Sequence, residues 1–149
     1  MNRLLPRGPL VALATWLAGC GGGSATDAAV LGVDVAGCQP VRYGSVVGFA
    51  LRADAPLLEG GRRYRCVIFP GTAERRVQLT VFAQGFRPTI YLLDPGEAPR
   101  RLLAWSDEGP GAGVARSSVV LPRTTPYAAV VAAGDGEAGT FLISVQDSP

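Results

Sequence analysis

The chain has 149 residues, and its 20 glycines, 12 prolines and 48% hydrophobic content favour short strands separated by turns over helices. All 14 basic residues are arginine. The absence of histidine and lysine excludes Ser–His–Asp, Cys–His and Ser–Lys catalysis, and it excludes a phosphate-binding P-loop. Twelve acidic residues offset most of the arginines, so the chain lacks the basic surface that nucleic-acid binding requires.

The first 19 residues have the organisation of a secretory signal. Arg3 and Arg7 precede an apolar run over residues 10–17, and the small residues Ala18 and Gly19 come directly before Cys20. The run is about half the ~20 residues that a transmembrane helix needs. Without Arg3 and Arg7, 14 − 2 = 12 arginines balance the 12 acidic residues, so the exported part of the chain is predicted to be neutral.

The four residues Leu17-Ala18-Gly19-Cys20 resemble the lipobox of bacterial lipoproteins at every position. The resemblance implies that residues 1–19 are cleaved off as a signal peptide, that the Cys20 thiol carries a diacylglycerol and that its new amine is acylated. Several acyl chains anchor a protein firmly, whereas one chain is marginal. Gly21 follows Cys20 where the family's inner-membrane retention signal has Asp, which implies the outer membrane. The alternative is an ordinary signal peptide with Cys20 near the cut.

Two further cysteines, Cys38 and Cys66, form an even pair once Cys20 is assigned to lipid. In an exported protein such a pair predicts a disulfide. Its loop of about 29 residues would stabilise the fold by roughly 3–4 kcal/mol in the chain-entropy model. A metal or redox site is the alternative, but zinc requires four ligands and redox cysteines usually lie much closer together.

Residues 20–29, with the run GGGSATDAA, are predicted to form a flexible tether that leads into a domain over residues 30–149. This domain consists of short apolar segments separated by turn sequences such as DPGEAP and GDGEAG. In RVQLTVF, polar residues alternate with Val77, Leu79 and Val81, as expected for a half-buried antiparallel strand. Eight strands are predicted, over residues 46–52, 63–69, 76–83, 89–94, 101–106, 115–121, 127–133 and 140–146. They predict an all-β fold, an antiparallel β-sandwich.

Motifs within residues 57–146 follow a characteristic order. They comprise an initial glycine turn, a strand with tyrosine, an alternating strand, a strand that ends in Asp-Pro-Gly, an acidic turn, a Leu-Pro step and two closing strands. The residues are Gly60-Gly61, Tyr64, Val77 to Val81, Phe86 to Gly96, Ser106 to Gly109, Leu121-Pro122, Tyr127 and Gly139 to Val145. This order resembles the bacterial pre-peptidase C-terminal domain. The resemblance implies a jelly-roll-like β-sandwich that accompanies secreted enzymes, has no catalytic role and assists export, binding or folding.

Carboxylates are the remaining candidates for chemistry. A glycosidase would place two of them across a cleft, but here they lie beside Gly and Pro in predicted turns, where solvated side chains are expected. Asp94, Asp107 and Glu108 would bind calcium if their turns met at one end of the sandwich, since carboxylate and carbonyl oxygens suit this ion. No other cofactor is predicted.

Arginine clusters and two aromatic residues are candidates for binding. The clusters at 62–65, 75–76 and 100–101 flank strands, where they would discourage sheet aggregation or face anionic lipopolysaccharide. Tyr91 and Trp105 would stack on sugars if exposed, or pack in the core.

The sequence therefore favours a non-enzymatic lipoprotein anchored to the cell envelope, at the outer membrane, as an interaction or accessory module for an envelope protein. The alternative is a module that binds envelope glycan with the assistance of calcium.

Overall fold

Nine strands make up the computed structural model, which describes residues 32–96, 101–107 and 113–149. They are β1 (Gln39–Pro40), β2 (Val46–Leu51), β3 (Tyr64–Gly71), β4 (Arg76–Gln84), β5 (Thr89–Asp94), β6 (Arg101–Asp107), β7 (Val114–Val120), β8 (Thr125–Ala132) and β9 (Gly139–Asp147). A single 3-10 turn, Val35–Gly37, precedes β1 and is capped by the Asp34 side chain. In this part of the chain no helix is long and apolar enough to cross a membrane.

The strands form two sheets that pack face to face. The five-stranded sheet has the order β1-β3-β8-β5-β6, and the four-stranded sheet has the order β2-β9-β4-β7. All neighbours are antiparallel except β1 and β3. Strands β2 to β9 follow the order of a jelly roll, because consecutive strands lie in opposite sheets except β5 and β6, which pair with each other. The predicted all-β sandwich is confirmed.

The core between the sheets is formed by alternate residues of both. Val77, Leu79 and Val81 of β4 are fully buried, as their alternation with polar residues predicts. They pack with residues from β5, β8 and β9 in one cluster, which includes Leu92, Tyr127 and Ile143. Burial of each large apolar side chain stabilises the fold by about 1.5–3 kcal/mol relative to exposure.

A second apolar cluster covers the outer face of the five-stranded sheet. It contains Tyr64, Tyr91 and Leu93 from the strands, and Val33 and Leu58 from the segments that cross them. Strand β8 is therefore buried on both faces, and its sequence TPYAAVVA has a continuous apolar run in place of alternation. The four-stranded sheet differs, because most residues on its outer face are exposed or half-buried, with only the paired Thr80 and Ser144 buried among the described strands.

The predicted disulfide between Cys38 and Cys66 is confirmed, with 4.7 Å between the two Cα atoms. It joins the 3-10 turn to β3 within the second apolar cluster, where both cysteines are buried. Cys20, together with the predicted signal peptide and tether, lies outside the described residues.

Candidate functional site

An open groove of about 660 Å³ lies on the outer face of the four-stranded sheet. Strand register aligns Gly48, Leu142, Phe82 and Val114 in one row across β2, β9, β4 and β7. Phe82 and Leu142 each leave 49% of their surface exposed. Gly48 has no side chain, and the Leu142 side chain leans over it, with Cδ2 3.3 Å from the position that a Cβ at residue 48 would take. The groove is thus bounded by two exposed apolar side chains and has a low edge at β2.

The groove arises from apolar residues at outward positions of otherwise polar strand faces. In β4 the outward residues Arg76, Gln78 and Thr80 are polar, and Phe82 then takes the next outward position. In β9 Leu142 points outward between Thr140 and Ser144 in the same way, since Phe141 and Ile143 point inward. Adjacent exposed apolar residues are informative because soluble proteins rarely gather them without a function. The sequence did contain a signal for the groove, because Phe82 and Leu142 stand at positions of β4 and β9 where the alternation predicts polar, outward-facing residues. The sequence analysis missed this signal.

The charge on this face is positive. Arg76 on β4 and Arg116 on β7 point outward and are exposed. The other outward positions of the four strands hold apolar, amide, hydroxyl or glycine residues, and none of these described positions holds a carboxylate. A complementary partner surface is therefore apolar opposite the groove and neutral or anionic around it.

The structure does not bring the three predicted calcium ligands together. Asp94 ends β5, whereas Asp107 pairs with Thr89 at the start of β5, and five residues of strand span about 16–17 Å. Glu108 lies outside the described residues. Within the described ranges no group of three or more acidic, His or Cys side chains could hold a metal ion. Asp94 and Asp107 therefore do not meet at one end of the sandwich, which is the condition on which the predicted calcium site depends.

Asp94 and Asp107, the two predicted calcium ligands that the structure describes, each have a structural partner instead. The Asp94 carboxylate is fully buried and accepts hydrogen bonds from Arg123 Nε at 3.0 Å and from the backbone N–H of Gly96 at 3.1 Å. This ion pair fixes the turn after β5 to the turn before β8. Asp107 accepts a hydrogen bond of 2.7 Å from the Thr89 hydroxyl, which joins the ends of β5 and β6.

Tyr91 and Trp105 do not form a stacking platform. They are neighbours in the register of β5 and β6, but Tyr91 is only 3% exposed, while Trp105 is half exposed. Arg62 crosses the sheet and donates hydrogen bonds to the Tyr91 hydroxyl at 2.8 Å and to the Thr89 hydroxyl at 2.7 Å. Burial raises the pKa of the Tyr91 phenol. Arg62 therefore has a structural role that the sequence analysis did not predict, since it ties this sheet to the segment before β3.

Several solved structures share this fold. The pre-peptidase C-terminal domain of a collagenase from Bacillus anthracis superposes with a TM-score of 0.58 at 14% identity, over 72% of this chain and 93% of that one. The surface-associated copper-binding protein CorA of Methylomicrobium album matches with a TM-score of 0.53 at 10% identity, over 75% and 99% of the two chains. The secreted copper-binding protein MopE of Methylococcus capsulatus matches with a TM-score of 0.53 at 10% identity, over 71% and 85%.

No protein-family model matches the chain, and no curated protein matches its sequence. At 10–14% identity the similarity to solved structures establishes the fold and nothing further. The first of them supports the resemblance to the pre-peptidase C-terminal domain that the motif order implies.

Proposed function

We propose that the chain is a lipid-anchored, non-catalytic interaction module of the bacterial cell envelope. Cys20 is its acylation site, residues 20–29 are its tether, and the sandwich binds a protein of the envelope at the outer membrane. The lipobox-like residues before Cys20 support the anchor. The fold supports an accessory role, because it is shared with the pre-peptidase C-terminal domain of a collagenase.

The observation that carries the proposal is the apolar groove on the four-stranded sheet. Phe82 and Leu142 present exposed apolar surface next to the low edge of the groove at Gly48. The polar side chains that line the groove are Gln84 and Thr140. Protein interfaces centre on such exposed apolar anchors surrounded by polar residues. A hydrolase would need an acid and a base in this place, and the described residues that line the groove include no ionisable side chain.

A protein partner fits the groove better than a glycan does. Sugar recognition combines a flat exposed aromatic ring with several directed hydrogen bonds. Tyr91 is buried, and among the described residues that line the groove Phe82 is the one exposed aromatic. Asp94 and Asp107 are also too far apart to share a calcium ion.

The anchor is tested by the intact mass of the protein extracted from membranes. We expect the mass of residues 20–149 plus a diacylglycerol and one amide-linked acyl chain, and we expect the Cys20→Ala variant to leave the membrane fraction. A wild-type protein that begins at another residue and carries no lipid would contradict the anchor.

The groove is tested by photo-crosslinking in intact cells. A photoreactive residue in place of Leu142 is expected to give one discrete protein adduct, which the Phe82→Ser substitution reduces at least about tenfold by removing an apolar anchor. A photoreactive residue in place of Val120 is the matched control, since Val120 is also exposed on this sheet but lies away from the groove. Equal adducts at both positions, or adducts with glycan alone, would contradict the proposal.

A further inference from the structure

We propose that two copies of the chain pair along strand β2, edge to edge and antiparallel, so that their four-stranded sheets become one continuous sheet. Strand β2 is the outermost strand of its sheet, with β9 on one side and no described strand on the other. An outermost strand presents backbone N–H and C=O groups that can pair with another chain. This inference goes beyond the proposed function and does not depend on the lipid anchor.

The other edge strands carry features that block such pairing, and β2 carries none. Strand β1 has only two residues, of which one is Pro40. Strand β6 begins with Arg101, ends with Asp107 and is interrupted by a bulge in its pairing with β5. Strand β7 carries Arg116 near its centre and lies beside β6. Prolines, charges, bulges and short edges are the devices by which proteins prevent sheet-to-sheet association.

Strand β2, with the sequence VVGFAL, has no charge and no proline, and its register with β9 is continuous over six residues. An exposed edge of this length and composition would be a liability unless another strand covers it. Val46 at its start is 60% exposed, which is the largest exposure among the large hydrophobic residues of the described chain.

The sequence of β2 is compatible with pairing to itself. An antiparallel arrangement about a twofold axis at Gly48 places Gly48 opposite its own copy, Val46 opposite Ala50 and Val47 opposite Phe49. No charged residue is included in these pairs, so no like charges meet across the strands. Arg52, the first charge after the strand, then lies opposite Gly44.

The same arrangement joins the two grooves. Gly48 and Ala50 form the low margin of each groove at β2, and the pairing brings Val46 of the second copy beside Ala50. Exposed apolar surface on Val46 is thereby covered, and the two grooves meet across the twofold axis. Face-to-face packing of the sheets would instead bring Arg76 and Arg116 against a second positive face that has no carboxylates to balance them.

The proposed contact is small. Five paired residues in each copy bury less than the roughly 800 Å² per partner of a stable interface, so the dimer in solution is expected to be weak and dependent on concentration. Two copies held on one membrane would meet at a much higher effective concentration.

The proposal is tested with the full chain carrying Cys20→Ser, in detergent, by sedimentation over about a hundredfold range of protein concentration. This substitution removes any acyl chain, so the outcome is independent of the proposed anchor. The average mass is expected to rise from one copy towards two, and Val46→Lys is expected to keep the mass at one copy throughout. Val120→Lys is the matched control, because Val120 is an exposed valine on the opposite edge strand of the same sheet, and it should associate like the parent chain.

A second measurement uses thiol pairing in the same Cys20→Ser background. Gly48→Cys introduces the only free thiol at the proposed twofold axis, where Leu142 Cδ2 lies 3.3 Å from the new Cβ and can move aside. Mild oxidation should link most of the Gly48→Cys chains as dimers and few of the Val120→Cys chains. A mass of one copy at every concentration, association of Val46→Lys like the parent, or equal linkage at both positions would overturn the proposal. So would linkage of Gly48→Cys to a different protein in an envelope extract, which would assign the edge to that protein.

Discussion

Removal of the disulfide is expected to lower the free energy of unfolding by about 3–4 kcal/mol. Cys38 and Cys66 are 28 residues apart in sequence, and the chain-entropy model gives about 3.6 kcal/mol for a loop of this length at 25 °C. Because both cysteines are buried, the double variant Cys38→Ala/Cys66→Ala keeps small apolar side chains in the second apolar cluster. At about 4 °C per kcal/mol for a domain of this size, Tm should fall by roughly 12–16 °C.

The measurement is urea unfolding followed by far-ultraviolet circular dichroism, with the free energy extrapolated to water. The control is Cys20→Ala, which lies outside the loop and is expected to leave the free energy of unfolding unchanged. A loss below about 1 kcal/mol with an unchanged m-value would refute the reasoning, because it would mean that the closed loop does not restrict the unfolded chain.

Two further predictions concern charged groups. Asp94→Ala should cost about 2–3 kcal/mol, since it removes the carboxylate that pairs Arg123 and the N–H of Gly96; a double-mutant cycle with Arg123→Ala in which the two losses simply add would contradict this. Hydrogen bonds from the backbone N–H groups of Arg87 and Gly134 lower the pKa of Glu137 below its ordinary value of 4.5. This stabilisation is complete above the unfolded pKa and is lost as pH falls through the folded pKa, so the advantage of the wild type over Glu137→Gln in urea should shrink in acid. A stability advantage of the wild type that does not change with pH would show that the lowered pKa of Glu137 contributes nothing to stability.

The sequence predicted the sandwich well because its strands alternate. The eight predicted strands agree with the structure within two residues at each end, since polar and apolar residues alternate in strands such as β4 and turn residues separate them. Strand β1 was missed because two residues with a proline carry no periodic signal. Its pairing with β3 joins Gln39 to Val67, and local sequence does not specify so distant a partner.

The candidate site was harder to predict because it depends on register. Phe82 and Leu142 are 60 residues apart in sequence and become neighbours only through the pairing of β4 with β9. In the same way, the partner of Asp94 is Arg123, 29 residues later. Without that contact, the carboxylate in its Asp-Pro-Gly turn resembled a solvated residue or a calcium ligand. Residue types identified candidates, but only the topology determined which of them meet.

The position of the disulfide also determines how mechanical load passes through the domain. When the chain is pulled from its N-terminal side, tension reaches Cys38 and crosses the covalent bond directly to Cys66 in β3. Residues 39–65, which include β2, form a closed loop that this covalent path bypasses. In a domain held by an N-terminal anchor, covalent tension would therefore enter the fold at β3 of the five-stranded sheet, and the loop that contains β2 would not be pulled straight while the disulfide is intact.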